Sequence, residues 1–131
     1  MKTIITFGTF DLFHIGHLNI LRKAALLGDK LVVGISSDEF SHRKKDRYPI
    51  FDQDDRRKII QSLKWVDETF IEESMEKKRE YIQHFNANVL VMGGWEGEFD
   101  YLKDICEVIY YTRTTGISTT ELIETIKDLK K

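Results

Sequence analysis

Much of what this 131-residue chain can be is bounded by what it has little of. One cysteine, Cys106, leaves no intrachain disulfide and no zinc site built on several thiolates. That thiol is expected beside a buried strand, as a small hydrophobe. No apolar run approaches the roughly 20 residues of a membrane-spanning helix, so no membrane insertion is expected. The first residues lack the pattern of a signal peptide, because Lys2 leads into a strand-like run that breaks at Gly8. A cytoplasmic location is the resulting expectation. Positive charge is not in excess: 20 Lys and Arg against 22 Asp and Glu give a formal charge of −2, which argues against a general nucleic-acid binder with a broad basic surface. Internal repeats and low-complexity segments are absent.

What is present is the composition of a water-soluble globular chain, 41% hydrophobic and 32% charged, and its length predicts one domain spanning residues 1–131. Thr3 to Phe7 reads as a strand, and from His17 the residues Leu18, Leu21, Ala24 and Ala25 recur at helical spacing. Gly28 is expected to stop that helix in the left-handed conformation. Leu31 to Ile35 is an uninterrupted apolar run, as in a strand covered on both faces of a parallel sheet. Between Ser41 and Asp52 the periodicity fails, basic residues accumulate around the only proline, Pro49, and a mobile, positively charged loop is expected. A helix resumes from Asp54 with Arg56, Ile59, Ile60 and Leu63 on one face. A short strand over Glu68 to Ile71 and a charged helix over Ser74 to Phe85 follow. Val89 to Met92, ending in Gly93-Gly94, and Glu107 to Tyr111 are further strands. Ser118 and Glu121 form a capping-box pattern, and the last helix should turn Leu122, Ile126 and Leu129 inward. Strands alternating with helices predict an α/β fold, a Rossmann-like open sheet of about five mostly parallel strands with helices on both faces.

The chemistry concentrates at Gly8-Thr9-Phe10-Asp11-Leu12-Phe13-His14-Ile15-Gly16-His17. A strand that ends in glycine and turns into a helix start leaves backbone N–H groups free for an anion. Two histidines around a glycine at that helix entrance suggest a phosphate being acted upon. A metal pair is the weaker reading, since no third ligand is spaced nearby. Gly93-Gly94 and Arg113 to Thr120 form two more strand-end junctions, so two helix starts could converge on one polyanion, a nucleoside triphosphate being the natural candidate. His14 and His17 could donate to the non-bridging oxygens of a phosphoryl transition state, with Lys44 and Arg113 adding charge. An attacking phosphate would need no general base. Trp95 reads as a packing or loop anchor.

These stretches resemble those of a known family. Gly8-Thr9-Phe10-Asp11 with His14-Ile15-Gly16-His17 is similar to the GTFD…HxGH signature of the cytidylyltransferases, within the nucleotidylyltransferase superfamily. Arg113 to Thr120 resembles that family's RTxGISTT signature. The resemblance runs nearly full length, through Gly28-Asp29, Ser36 to Phe40, Trp65 to Glu68 and Trp95-Glu96-Gly97, and is strongest to the small glycerol-3-phosphate branch that supplies teichoic-acid precursors. It implies transfer of CMP from CTP to glycerol 3-phosphate, giving CDP-glycerol and pyrophosphate, with Mg2+ carried mainly by the CTP phosphates and a homodimeric assembly. It also implies that His14, His17, Lys44 and Arg113 are catalytic. Gly8, Thr9, Phe10, Gly16, Gly93, Thr114, Gly116, Ile117, Ser118, Thr119 and Thr120 would join Arg113 in holding the nucleotide. Asp11, Asp38, Lys45, Arg56 and Lys78 would lie on the acceptor side, and either Lys44 or Lys45 would close on the phosphates.

The chain departs from the family's pattern at four places. Gly93-Gly94-Trp95 lacks the acidic pair that precedes this tryptophan, Lys64 replaces an arginine fork, Met75 a tryptophan and Thr115 a glutamate. An ATP-using relative and a nucleotide-binding protein without turnover are the competing expectations.

Overall fold

Largely apolar segments assemble into a sheet whose three inner strands are buried on both faces and whose edge strands are partly exposed. The computed structural model describes residues 1–129 and places β1 (Thr3–Gly8), β2 (Lys30–Ser36), β3 (Glu68–Glu72), β4 (Val89–Gly93) and β5 (Glu107–Tyr111) in the order β3-β2-β1-β4-β5. Every neighbouring pair is parallel, with Ile5 opposite Val32 on one side and Leu90 on the other. Helices α1 (Ile15–Ala25), α2 (Asp38–Lys45), α3 (Gln53–Gln61), α4 (Lys78–His84) and α5 (Thr119–Asp128) complete the fold. The expected Rossmann-like α/β architecture is therefore present, with five strands.

Alternate residues of the central strand feed two cores. Ile4 packs with Leu21 and Ala24 of α1, Ile60 of α3 and Val33, while Ile5 packs with Ile82 of α4, Val32, Leu90 and Leu102. Full burial of such side chains is worth about 1.5–3 kcal/mol each, which clamps α1 and α3 to one face and α4 to the other. The chain lays down β1, β2 and β3 in one direction, then returns to β4 beside β1. The carboxyl ends of β1 and β4 thus flank the switch point where ligands of open parallel sheets lodge.

Four expectations need correction. Residues 41–52 are irregular only from Asp46 onward: residues 41–45 belong to α2, capped by the Ser37 hydroxyl, which accepts from the Phe40 N–H at 3.0 Å. Only Phe40 and Ser41 of this two-turn helix are buried, too few to leave a readable period. Gly28 is not left-handed; a side chain there would put its Cβ 2.6 Å from the Lys2 carbonyl oxygen, so close approach demands the glycine. Helix α5 leaves Ile126 52% and Leu129 79% exposed instead of inward. The charged helix over 74–85 begins as a 3-10 turn at Met75–Lys77 before α4. Cys106, partly buried just ahead of β5, has its thiol pushed up by burial, as expected for a packing residue.

Candidate active site at the carboxyl end of the sheet

The loop leaving β1 is bent by two side-chain-bearing residues in the left-handed region, Phe10 at φ 55° and Leu12 at φ 48°. Non-glycine residues are held there only where their surroundings over-determine them, as functional loops commonly do. Phe10 is buried in the core. Asp11 is buried too, and its carboxylate accepts from the Ile50 N–H at 2.7 Å and the Phe51 N–H at 2.9 Å. Its carbonyl accepts from the Thr119 hydroxyl at 2.8 Å. One residue thereby fastens the β1 loop, the segment before α3 and the start of α5.

His14 caps α1. Its Nδ1 accepts from the Gly16 N–H at 3.0 Å, and the His17 Nδ1 accepts from the His14 N–H at 3.2 Å. The two rings stack, with centroids 3.7 Å apart. Because each Nδ1 is an acceptor, the proton of each neutral ring sits on Nε2, the one N–H it can offer a ligand. Burial lowers the pKa of His14. Burial, helped by His14 and Lys45, pulls His17 down to about 3. Both rings are therefore neutral donors near pH 7. A Cβ on Gly16 between them would lie 2.8 Å from the His14 Cε1 and displace that ring.

Across the opening, Arg113 follows β5 and donates through Nε to the Gly93 carbonyl at 3.0 Å. The Gly94 N–H donates to the Tyr111 carbonyl at 2.8 Å. A Cβ on Gly94 would stand 2.8 Å from the Arg113 Nε, so the residues that replace the acidic pair make room for the arginine. Asn19 of α1 donates to the Thr114 hydroxyl at 3.1 Å. Ser118 caps α5 by accepting from the Glu121 N–H at 3.1 Å, which is the forward half of the predicted capping box.

These walls enclose a cavity of about 330 Å³ into which the positive ends of α1 and α5 both open. Lys44, Lys45, Arg47, Lys78 and Arg113 line it against the acids Asp11 and Glu72, a balance suited to a polyanion. The cytidylyltransferase-like family profile matches residues 5–125. The chain belongs to the cytidylyltransferase-like family. It is 49% identical, over 98% of its length and the whole of the relative, to the glycerol-3-phosphate cytidylyltransferase of Bacillus subtilis. To the enzyme of the same name in Staphylococcus aureus it is 44% identical, over 99% of this chain and all of that one. A crystal structure of the lipopolysaccharide core biosynthesis protein from Thermoplasma volcanium superposes with a TM-score of 0.77 at 24% identity, over 87% of this chain and 98% of that one, a likeness of fold.

Most residues that the cytidylyltransferase resemblance singled out meet in this cavity. Gly8, Thr9, Phe10, Asp11, His14, Gly16 and His17 form one wall, and Gly93, Arg113, Thr114, Ile117, Ser118, Thr119 and Thr120 another. Lys44, Lys45 and Lys78 line it between them. Gly116, Asp38 and Arg56 do not. Arg56 is fully buried, donating to the carbonyls of Phe51, Thr9 and Ser36 and to Asp38 at 2.7–2.9 Å. It and Asp38 pair with each other beneath the site, and neither lines the cavity. Trp95 and Met75 also line the cavity.

Sequence reasoning missed Ser36, Ser41 and Glu72. Ser41 Oγ is, among the described residues, the one buried side-chain polar atom without a hydrogen-bond partner, and its residue lines the cavity. The signal for Glu72 was its place at the carboxyl end of β3, on the edge where functional groups collect.

Proposed function

We propose that this protein transfers CMP from CTP to glycerol 3-phosphate, giving CDP-glycerol and pyrophosphate. The observation that carries the reading is the pair of neutral imidazoles at the mouth of α1, facing the same cavity as the start of α5 and a set of lysines. The full-length relatives named glycerol-3-phosphate cytidylyltransferase support the choice of nucleotide and acceptor.

In this reading an oxygen of the acceptor phosphate attacks the α-phosphorus in line, and the bond from that phosphorus to the bridging oxygen of the β-phosphate breaks. The acceptor phosphate is already ionised near pH 7, so no protein base is needed. Charge gathers on the non-bridging oxygens, where preplaced donors lower the barrier. His14 and His17 supply Nε2–H donors there without any protonation change. Arg113 and the N–H groups at the start of α5 hold the nucleotide from the other wall, and Lys44 closes on the phosphates from α2.

Magnesium fits as a companion of the nucleotide. Among the described residues no three His, Cys, Asp or Glu come together as a ligand set, and the carboxylates lining the cavity are engaged, Asp11 by two amides and Glu72 by Lys78. The triphosphate itself offers the hard oxygens the ion prefers, and the ion offsets their charge. The homodimer and the cytoplasmic location implied by the resemblance belong to the same proposal, and sedimentation velocity tests the first.

The decisive experiment measures pyrophosphate release with CTP and glycerol 3-phosphate in the presence of Mg2+, omitting each in turn. Parallel reactions use ATP in place of CTP, and ribitol, choline or ethanolamine phosphate in place of the acceptor. Release that requires both CTP and glycerol 3-phosphate is expected. A strong preference for ATP, or release indifferent to the acceptor, refutes the reading.

A further inference from the structure

Below the lysines of the cavity lies a buried polar chain to which nothing so far gives a purpose. Lys78 Nζ donates to Glu72 Oε2 at 2.5 Å, with side chains only 2% and 1% exposed. The Ser36 hydroxyl, wholly buried, accepts from Lys44 Nζ at 2.9 Å, and Ser36 stands opposite Glu72 in the parallel register of β2 and β3, where it helps to hold the carboxyl down. One carboxylate on β3 therefore serves two lysines, one from α4 directly and one from α2 through a hydroxyl on β2. Both lysines, and Glu72 itself, line the cavity.

A buried ion pair is a poor way to fasten a helix, because desolvation offsets most of its attraction and apolar packing does better. The surroundings of this pair favour a charged lysine over mere attachment. The Lys78 ammonium lies 3.8 Å from the centre of the Phe7 ring and 5.1 Å from that of Phe99, and the Lys44 ammonium lies 4.4 Å from that of Phe40. Ring faces attract a cation and offer little to a neutral amine. The partnerless Ser41 hydroxyl adds an unused donor to the same cavity.

We propose that Glu72 is the resident counter-anion of the substrate-phosphate subsite: through its direct contact with Lys78 and its Ser36-mediated contact with Lys44, it keeps both ammonium groups charged while the cavity is empty. The ligand they await is a phosphate anion of the substrates, so the inference rests on the phosphoryl-transfer reading above. Glu72 is on this account a positioning residue. It need touch no reacting atom.

The electrostatics agree in sign. Burial lowers Lys44 to about 8, against an upward pull from Glu72, while Lys78, Lys45 and Arg56 push it down further. Burial likewise lowers Lys78, and Glu72 is the group that opposes it. Burial raises the Glu72 carboxyl, and Lys78 and Lys44 hold it down. Removing the carboxylate leaves two desolvated ammonium groups without their shared acid, while Arg56 keeps Asp38 and Lys45 keeps the pull of Asp11. Lys44 and Lys78 must then give up their protons more readily.

The test is Glu72→Gln, which keeps the shape. The lysine Cε resonances of the ligand-free protein are followed by NMR against pH, with Lys44→Arg and Lys78→Arg supplying the assignments. Both lysines are expected to lose their protons about one pH unit or more below their positions in the parent protein. The kcat/KM for glycerol 3-phosphate should begin to fall at correspondingly lower pH. Ser36→Ala provides a second, milder variant. It cuts only the Lys44 branch, so Lys44 should move and Lys78 stay. Unchanged titration of both lysines in Glu72→Gln overturns the inference, as does equal movement of both in Ser36→Ala. The NMR readout needs no turnover. Absence of CDP-glycerol synthesis in the parent protein would therefore remove the reaction assigned above while leaving the lysine result to be judged alone.

Discussion

Replacing Gly16 with alanine separates the site from the fold. The new Cβ would sit 2.8 Å from the His14 Cε1 and 3.0 Å from its Nδ1, whereas carbon atoms pack comfortably only at about 3.5–4.0 Å. The ring must move by roughly 0.7 Å or more, judged against that packing distance. It can move, because it is the free end of a side chain, so the backbone need not. The hydrogen bond from the Gly16 N–H to Nδ1 is lost or bent, at about 0.5–1.5 kcal/mol. Against that stands a gain of roughly 0.5–1 kcal/mol from alanine over glycine within a helix. The two nearly cancel, and thermal unfolding should shift by only a few degrees. Turnover should not escape: taking one preplaced donor off a transition-state oxygen costs about 10²-fold or more, and displacements near 1 Å carry penalties of that order. Pyrophosphate release at saturating substrate, paired with a melting curve on the same preparation, measures both. A Gly16→Ala protein that keeps its melting temperature and turns over within threefold of the parent refutes the role given to the His14 ring.

His17→Ala should lower kcat by about 10² or more in the same assay. Because the His17 pKa falls from its usual 6.5 to about 3, the unfolded chain binds a proton below pH 6.5 that the folded one refuses. Stability should therefore drop as pH falls from 6.5 toward 3, and His17→Gln should flatten the pH dependence of the urea midpoint in that window. Arg56→Ala leaves four acceptors without their shared donor and should cost about 3–5 kcal/mol by urea denaturation, the scale for breaking a buried charged pair. Asp11→Asn would set an amide NH2 or a single oxygen against two backbone N–H donors, so limited trypsin digestion should cut at Arg47 faster than in the parent. An unchanged cleavage rate would mean that Asp11 does not hold that segment.

The sheet was legible because each of its inner strands is an apolar run bounded by glycine or polar residues, and parallel order followed from the helices between them. The site was legible where chemistry and local backbone coincide. His14, Gly16 and His17 sit on one helix start, and Ser118 marks another. What escaped were features set by distant partners. Arg56 shares the apolar face of its helix in sequence, but nothing there shows that Thr9, Ser36 and Phe51 turn three carbonyls on it. Glu72 is an unremarkable charge until β3 and α4 bury it against Lys78. The short α2 hides its helical period because only Phe40 and Ser41 reach the interior, and the apolar spacing of α5 promised a packed face that Ile126 and Leu129 do not supply.

The hydrogen bond from Thr119 to the Asp11 carbonyl joins residues 108 positions apart. Its neighbours in the cavity come from both extremes of the chain, with α2, β3, α4 and β4 contributing between them. A ribosome that has released β1 and α1 has made the histidines but no pocket. Nucleotide affinity is therefore expected only after residues 113–120 have emerged and β5 has docked on the sheet's edge. A nucleotide added to a refolding or stalled chain would then report completion of the whole sheet, and by mass action would stabilise the fold from its first strand to its last helix.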